Sequence, residues 1–129
     1  MRSVLILYPA IAMMLLTIFL YVKNYFDNRR ARKSNSIKFS YFKTYEGKVP
    51  EYMAISRQTL KNQFELPIFF YFLVSIIISF DQVLLIDIVL GWLFVLLRYI
   101  HCFIRLSSNY ILYRAISFQF GMFILFIWW

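Results

Sequence analysis

Residues 57–70 read RQTLKNQFELPIFF, and this stretch carries polar side chains into the start of a long apolar run. Asn62 and Glu65 stand where a membrane-spanning helix is expected, and polar or ionisable groups at such depth are costly to insert. They usually face the interior of a helix bundle and have a partner there. The stretch therefore predicts a membrane-embedded polar site whose partner comes from another span.

A second apolar run, which follows a short turn at residues 80–82, carries Arg98 and His101. In a helical hairpin, residues equidistant from the turn lie at equal depth. Glu65 is then level with Arg98, and Asn62 is level with His101. We expect the acid to meet the base and the amide to meet the imidazole. An ion pair that simply locks the two helices and a ligand-binding site both explain this arrangement.

The composition places the chain in a membrane. Its 129 residues are 62% hydrophobic and 22% aromatic, and the mean hydropathy is +0.67. A soluble domain of this size could not bury so much apolar surface. The apolar runs have the length of about 20 residues that crosses a bilayer, which is far longer than a barrel strand. We therefore predict an all-α bundle of four transmembrane helices, in a single membrane domain over residues 1–129.

Four spans are predicted, with one polar loop between the first two. The spans cover about residues 3–22, 53–79, 83–104 and 110–129. The loop, residues 23–50, holds eight Lys and Arg residues against two acidic residues. By the positive-inside rule this loop is cytoplasmic, so both termini lie outside the cell or in a lumen. The chain is expected in a bacterial inner membrane or an organelle membrane.

The net charge of +8 could indicate a nucleic-acid partner. The cations are clustered beside a membrane span, however, where they serve as orientation signals or contact lipid head groups. We therefore expect membrane lipids, and no nucleic acid, as partners of this loop. A dedicated ligand role for these charges is the alternative.

A cationic pocket is predicted near the cytoplasmic side. Arg98, His101 and Arg105 are spaced by three and four residues, so they share one helix face. Arg114 begins the fourth span on the same side of the membrane, and Glu65 supplies one acid. The guanidinium group of arginine binds carboxylates through paired hydrogen bonds, so the pocket suits an anionic ligand. No metal site is expected, because one His, one Cys and one nearby carboxylate lack ligand spacing.

The sequence resembles the MAPEG superfamily, the membrane-associated proteins of eicosanoid and glutathione metabolism, at these residues. The family's second helix has an Arg five residues before Asn-x-x-Glu, followed closely by Pro and Phe. The third helix has Arg-x-x-His, and an Asn and an Arg-Gly-Leu-Ser-Phe-like stretch come later. The similar residues here are Arg57, Asn62, Glu65, Pro67, Phe69, Arg98, His101, Asn109 and residues 114–118. The similarity covers nearly the whole chain.

The resemblance implies a homotrimer of four-helix bundles, with glutathione bound between subunits in the cytoplasmic leaflet. It implies a glutathione-dependent transferase or peroxidase that acts on lipophilic electrophiles. Arg114 matches the family's arginine that stabilises the glutathione thiolate, and it is the implied catalytic residue. The implied binding residues are Arg57, Asn62, Glu65, Arg98, His101 and Tyr113.

The chain also departs from the family pattern. Asn109 and Arg114 are adjacent in the transferases but separated here, and Leu60 stands where the family has a His before Asn-x-x-Glu. The first loop is unusually basic. These departures motivate an alternative function, a non-catalytic accessory subunit of a larger membrane complex or a lipid-binding structural protein.

Overall fold

The computed structural model describes the whole chain, residues 1–129, and all of its regular elements are helices. Four helices are long and apolar enough to cross a membrane, as the sequence predicted. We call them the first to fourth spans. They are Arg2–Lys33, Glu51–Ser79, Leu85–Leu106 and Ile111–Trp128.

The first span extends well beyond the apolar run that defines it in the sequence. A short helix, Arg2–Leu5, leads into the long helix Leu7–Lys33. The loop was expected to begin at residue 23, where the charges begin. Charge limits insertion into lipid but does not end a helix, because Lys and Arg are good helix formers. The ion pair between Lys23 and Asp27, at 2.7 Å and one turn apart, adds to the stability of this segment.

The second span is interrupted near its middle. It consists of the helix Glu51–Lys61, the 3-10 turn Asn62–Phe64 and the helix Leu66–Ser79. Pro67 explains the break, because proline has no N–H and its ring excludes the regular backbone bond of the preceding turn. A proline at this position predicts such a bend from the sequence alone, and the structure confirms it. The carbonyl of Asn62 accepts a hydrogen bond from the side chain of Arg98 at 3.4 Å, so the break lies against the polar residues of the third span.

The third span is the centre of the bundle. It packs mainly against the fourth span, and also against the first span and the N-terminal helix of the second span, Glu51–Lys61. It begins at Leu85 because the carboxylate of Asp87 caps it, accepting from the backbone N–H of Leu84 at 2.8 Å. Phe70 of the second span stacks on Phe94 at a centroid distance of 5.1 Å. Both rings are fully buried in the main apolar core.

Gly91 permits close contacts between the third span and two neighbouring spans. A Cβ atom at this position would lie 3.3 Å from Pro9 and 3.3 Å from Trp128. Three spans therefore meet at one residue without a side chain. Small residues at such crossings let helices approach in lipid, where no hydrophobic force drives them together.

Candidate functional site

Arg98 carries a charged group into the core of the bundle, where its side chain is 1% exposed. Its Nη2 donates to the carbonyl of Asn62, and its guanidinium lies 5.7 Å from the ring centre of Phe118. Its Nε and Nη1 atoms are buried and have no hydrogen-bond partner in the chain. A buried guanidinium that lacks an anion is costly, so these donors indicate a place for an acceptor.

His101 lies one turn further along the same face and is also buried. Its Nδ1 is 2.9 Å from the backbone carbonyl of Arg114. A carbonyl only accepts, so Nδ1 carries a hydrogen, and in the neutral imidazole Nε2 then has a free lone pair. Nε2 is buried and has no partner. The hydroxyl of Ser117 donates to the same carbonyl at 3.0 Å within the fourth span. The contact between His101 and this carbonyl therefore links the third span to the fourth.

Arg105 completes the polar face and reaches across to the second span. Its Nη2 donates to Gln58 Oε1 at 2.6 Å, and its buried Nε has no partner. Gln58 and Arg105 are nearly equidistant from the turn at residues 80–82, so this contact agrees with the depth alignment of the predicted hairpin. We call Arg98, His101 and Arg105 the buried cluster.

Gln63 and Cys102 form a second contact between these spans, one that the sequence reasoning missed. The Gln63 Nε2 atom donates to the sulfur of Cys102 at 3.1 Å, and its Oε1 is buried without a partner. Gln63 lies between Asn62 and Glu65 in the polar stretch. Its presence there was a signal, because a third polar side chain at that depth also needs a buried partner.

Arg114 borders the buried cluster at the beginning of the fourth span. Its backbone carbonyl receives the His101 hydrogen bond, and its Nη1 donates to Asn109 Oδ1 at 2.7 Å. The two residues are thus in contact although the sequence separates them. Tyr113 points away, with 60% of its surface exposed, and its ring centre lies 4.9 Å from that of Tyr110.

The predicted ion pair between Glu65 and Arg98 does not form within the chain. Glu65 is exposed, and the only ion pair is the one between Lys23 and Asp27. Distance from the turn predicts the depth of a residue but not the direction of its side chain. The 3-10 turn at Asn62–Phe64 winds more tightly than an α-helix and changes that direction. It leaves Glu65 exposed and buries Gln63 in the space between the helices.

The expected contact between Asn62 and His101 is also absent. Asn62 contacts Arg98 through its backbone carbonyl, and His101 contacts the fourth span instead. Arg57 is held by the polar loop: it donates to the hydroxyl of Tyr41 and lies 5.3 Å from the ring centre of Tyr45. No hydrogen bond joins Arg57 to the buried cluster.

The structure therefore brings part of the predicted site together. Arg98 and His101 lie on one face of the third span, where Arg98 bonds to the backbone of Asn62 and His101 to the backbone of Arg114. Arg57, Glu65 and Tyr113 make no hydrogen bond to this face. The additional members that the sequence reasoning missed are Gln58, Gln63, Cys102 and Ser117. No three His, Cys, Asp or Glu side chains come together in a way that could hold a metal ion.

Comparison with known proteins gives one match. A family model described as the MAPEG family matches residues 6–129, nearly the whole chain. No curated protein and no solved structure gives a significant match. The matched range includes the buried cluster and the fourth span with Arg114.

Proposed function

The chain belongs to the MAPEG family, and we propose that it is a glutathione-dependent transferase or peroxidase acting on lipophilic electrophiles. The observation that carries this proposal is the buried cluster. It holds two guanidinium groups and an imidazole inside the bundle, with no carboxylate bonded to any of them. In a membrane protein, buried ionisable groups of this kind usually mark a functional site.

Glutathione suits the chemistry of the cluster. It carries two carboxylates, and guanidinium groups bind carboxylates through paired, charge-assisted hydrogen bonds. The unpartnered donors of Arg98 and Arg105 are the groups that would bind one carboxylate. Asn62, Glu65, His101 and Tyr113 are the further proposed contacts, and Arg57 contributes if the polar loop releases it.

Arg114 is the proposed catalytic residue. Its guanidinium favours the thiolate form of the bound thiol, and the thiolate is the reactive nucleophile. The thiol proton leaves to solvent, the sulfur bonds to the electrophilic atom, and the leaving group departs. The hydrogen bond from Arg114 to Asn109 supports this role, because it fixes the guanidinium at the inner end of the fourth span.

A homotrimer is the proposed assembly, with the binding site shared between neighbouring subunits. Glu65 and Tyr113 support it, because both are exposed on the single chain although they belong to the membrane-spanning helices. A carboxylate that faces lipid is costly, and a neighbouring subunit would cover it. The lipophilic substrate enters from the bilayer, and the first loop lies in the cytoplasm.

The test is glutathione binding by the purified protein in detergent. The absorbance of the thiolate reports the ionisation of the bound glutathione. We expect binding at millimolar glutathione, and turnover with a lipophilic aryl halide. Arg114→Met should retain binding but lose the thiolate signal and most of the turnover. Arg2→Met is the matched control, since it removes an exposed arginine far from the site. Absence of binding in the wild-type protein would overturn the proposal.

The alternative is a non-catalytic accessory subunit of a larger membrane complex or a lipid-binding structural protein. The hydrogen bond that holds Arg57 on the polar loop favours it, because one implied ligand of glutathione is then already engaged. Purification from the native membrane separates the two. An isolated, active trimer supports the enzyme, whereas co-purification with other subunits in fixed ratio and no turnover supports the accessory subunit.

A further inference from the structure

The polar loop is folded against the end of the first span. After Lys33 the chain reverses at Asn35, whose φ of +55° lies in the left-handed region that Asn tolerates. The N–H of Ser36 donates to the Ala31 carbonyl at 3.0 Å and closes the end of the helix. This turn brings residues 37–39 back beside the last turns of the first span.

A small apolar core holds the loop in this position. It is separate from the core of the bundle, and its four buried members are Ala31, Ile37, Tyr41 and Met53. Met53 belongs to the second span, so the core fixes the loop to two spans at once. The cations of the loop therefore have defined positions.

Four of these cations line one open cavity of about 610 Å³. They are Arg29, Arg32, Lys33 and Lys38, and no acidic residue lines the cavity. The side chains of these four residues make no hydrogen bond and no ion pair within the chain, so their charges are not neutralised there. Arg32 lies 5.8 Å from the ring centre of Phe39, which also lines the cavity.

The end of the helix does not account for so much charge. Its unpaired carbonyl groups act as roughly half a negative charge, and one cation is enough to offset this. Four cations around one cavity repel each other unless anions accompany them. The cavity is thus suited to a ligand with more than one negative charge.

The position of the cavity indicates a ligand at the membrane surface. Tyr25 and Phe26 are each 57% exposed, and such aromatic side chains are typical of the membrane interface. At about 1.5 Å per residue, Arg29 lies roughly one helical turn beyond Phe26, and Lys33 roughly two. These cations are therefore at the level of lipid head groups. Phe39, which is 75% exposed, provides an apolar rim.

We propose that this cavity binds the head group of a membrane phospholipid that carries two or more phosphates. Basic clusters directly beside a membrane span attract anionic lipids, and a folded cavity adds selectivity for a multiply charged head group. The site shares no residue with the buried cluster. A failure to bind glutathione would therefore not contradict the proposed lipid site.

The experiment compares two pairs of lysines in the same loop. Full-length protein in a neutral detergent is titrated with a short-chain phosphatidylinositol bisphosphate, and bound lipid is counted by native mass spectrometry. The double variant Lys33→Gln/Lys38→Gln removes two charges from the cavity and should weaken binding roughly thirtyfold. Lys43→Gln/Lys48→Gln removes the same charge from exposed positions that do not line this cavity, and should retain the affinity. Circular dichroism checks that both variants are folded.

Two further ligands identify the source of the phosphates. Short-chain phosphatidylserine, with one phosphate, should bind much more weakly than the bisphosphate lipid, and so should free inositol trisphosphate. Equal binding of phosphatidylserine would overturn the selectivity for several phosphates. Equal binding of inositol trisphosphate would mean a soluble ligand instead of a lipid. An equal loss of lipid affinity in the two double variants would mean that the lipid binds to the general surface charge of the loop and not to this cavity.

Discussion

At the scale of single residues, Arg98 has the most unusual environment. It is almost fully buried, yet its only hydrogen bond is a long one to a backbone carbonyl. Glu65, the acid at the same depth, is exposed instead of bonded to it. Arg98 in such a position contributes little to the stability of the single chain. We expect its role to be the binding of a ligand.

Arg98→Met tests this interpretation. It replaces the guanidinium with an apolar chain, so the free energy of unfolding should be unchanged or should rise by about 1–2 kcal/mol. Glutathione binding should be lost. Thermal unfolding in detergent and calorimetric titration measure the two effects, and Arg98→Lys, which retains the charge, should show no gain in stability. A large fall in melting temperature for Arg98→Met would show that the charge is part of the structural core.

At the scale of the helices, the third and fourth spans are held together by polar contacts of Asp87 and by the close packing of Trp128 on Gly91. Asp87 accepts from the backbone N–H of Leu84 and from Trp128 Nε1, which is 2.8 Å away. It therefore caps one helix and binds the end of another. Gly91, one turn further along, is in contact with Trp128 as well. These structural contacts lie at the end of the bundle near the turn at residues 80–82, whereas the opposite end carries the buried cluster.

Asp87→Ala should destabilise the protein by about 1–3 kcal/mol, because it removes both the cap and the buried partner of Trp128. The free energy of unfolding in mixed detergent measures the loss. Asp81→Asn is the control, since Asp81 is exposed in the turn and Asn tolerates its φ of +50°. Equal stability of the two variants would mean that the Asp87 contacts contribute nothing.

The two glycines of the third and fourth spans should respond differently to a side chain. Gly91→Val should cost about 1–3 kcal/mol, because the first new atom already lies 3.3 Å from Pro9 and from Trp128. At Gly121 the nearest atom is 3.9 Å from the Cβ position, so Gly121→Ala should be neutral or stabilising by up to about 1 kcal/mol. Melting temperatures of the two variants check the difference. A tolerant Gly91 would contradict the tight packing of the three spans.

At the scale of the whole molecule, the chain is a multi-pass membrane protein with unequal ends. One end has the extension of the first span beyond its apolar run, the folded polar loop and the buried cluster, whereas the turn at residues 80–82, at the other end, has no Lys or Arg. Charge asymmetry of this kind sets orientation during insertion. It predicts that the proposed glutathione site and the proposed lipid site both face the cytoplasm.

Cysteine labelling in a bacterial inner membrane tests this orientation. Cys102 is buried, with 2% of its surface exposed, so it should not react, and single cysteines can be added to the exposed positions Thr44 and Gln82. An impermeant maleimide should label Gln82→Cys on intact spheroplasts. It should label Thr44→Cys only after permeabilisation. The reverse pattern would place the polar loop outside.

The sequence by itself determined the class of the protein, the four spans and the bend at Pro67. Length, hydropathy and proline chemistry act locally, so they can be read from the chain. The sequence also predicted which residues of the second and third spans lie level with one another, from their distances to the turn at residues 80–82. The contact between Gln58 and Arg105 agrees with that alignment.

Only the tertiary structure decided which way each polar side chain points. The 3-10 turn buries Gln63 and leaves Glu65 exposed, and the polar loop holds Arg57. The same structure converts a run of cations into a cavity, because Ile37 and Tyr41 pack on the second span. The direction in which a side chain points from its helix depends on where the helix is interrupted and on which elements pack against it. The spacing of residues in the sequence gives neither the interruption nor the packing.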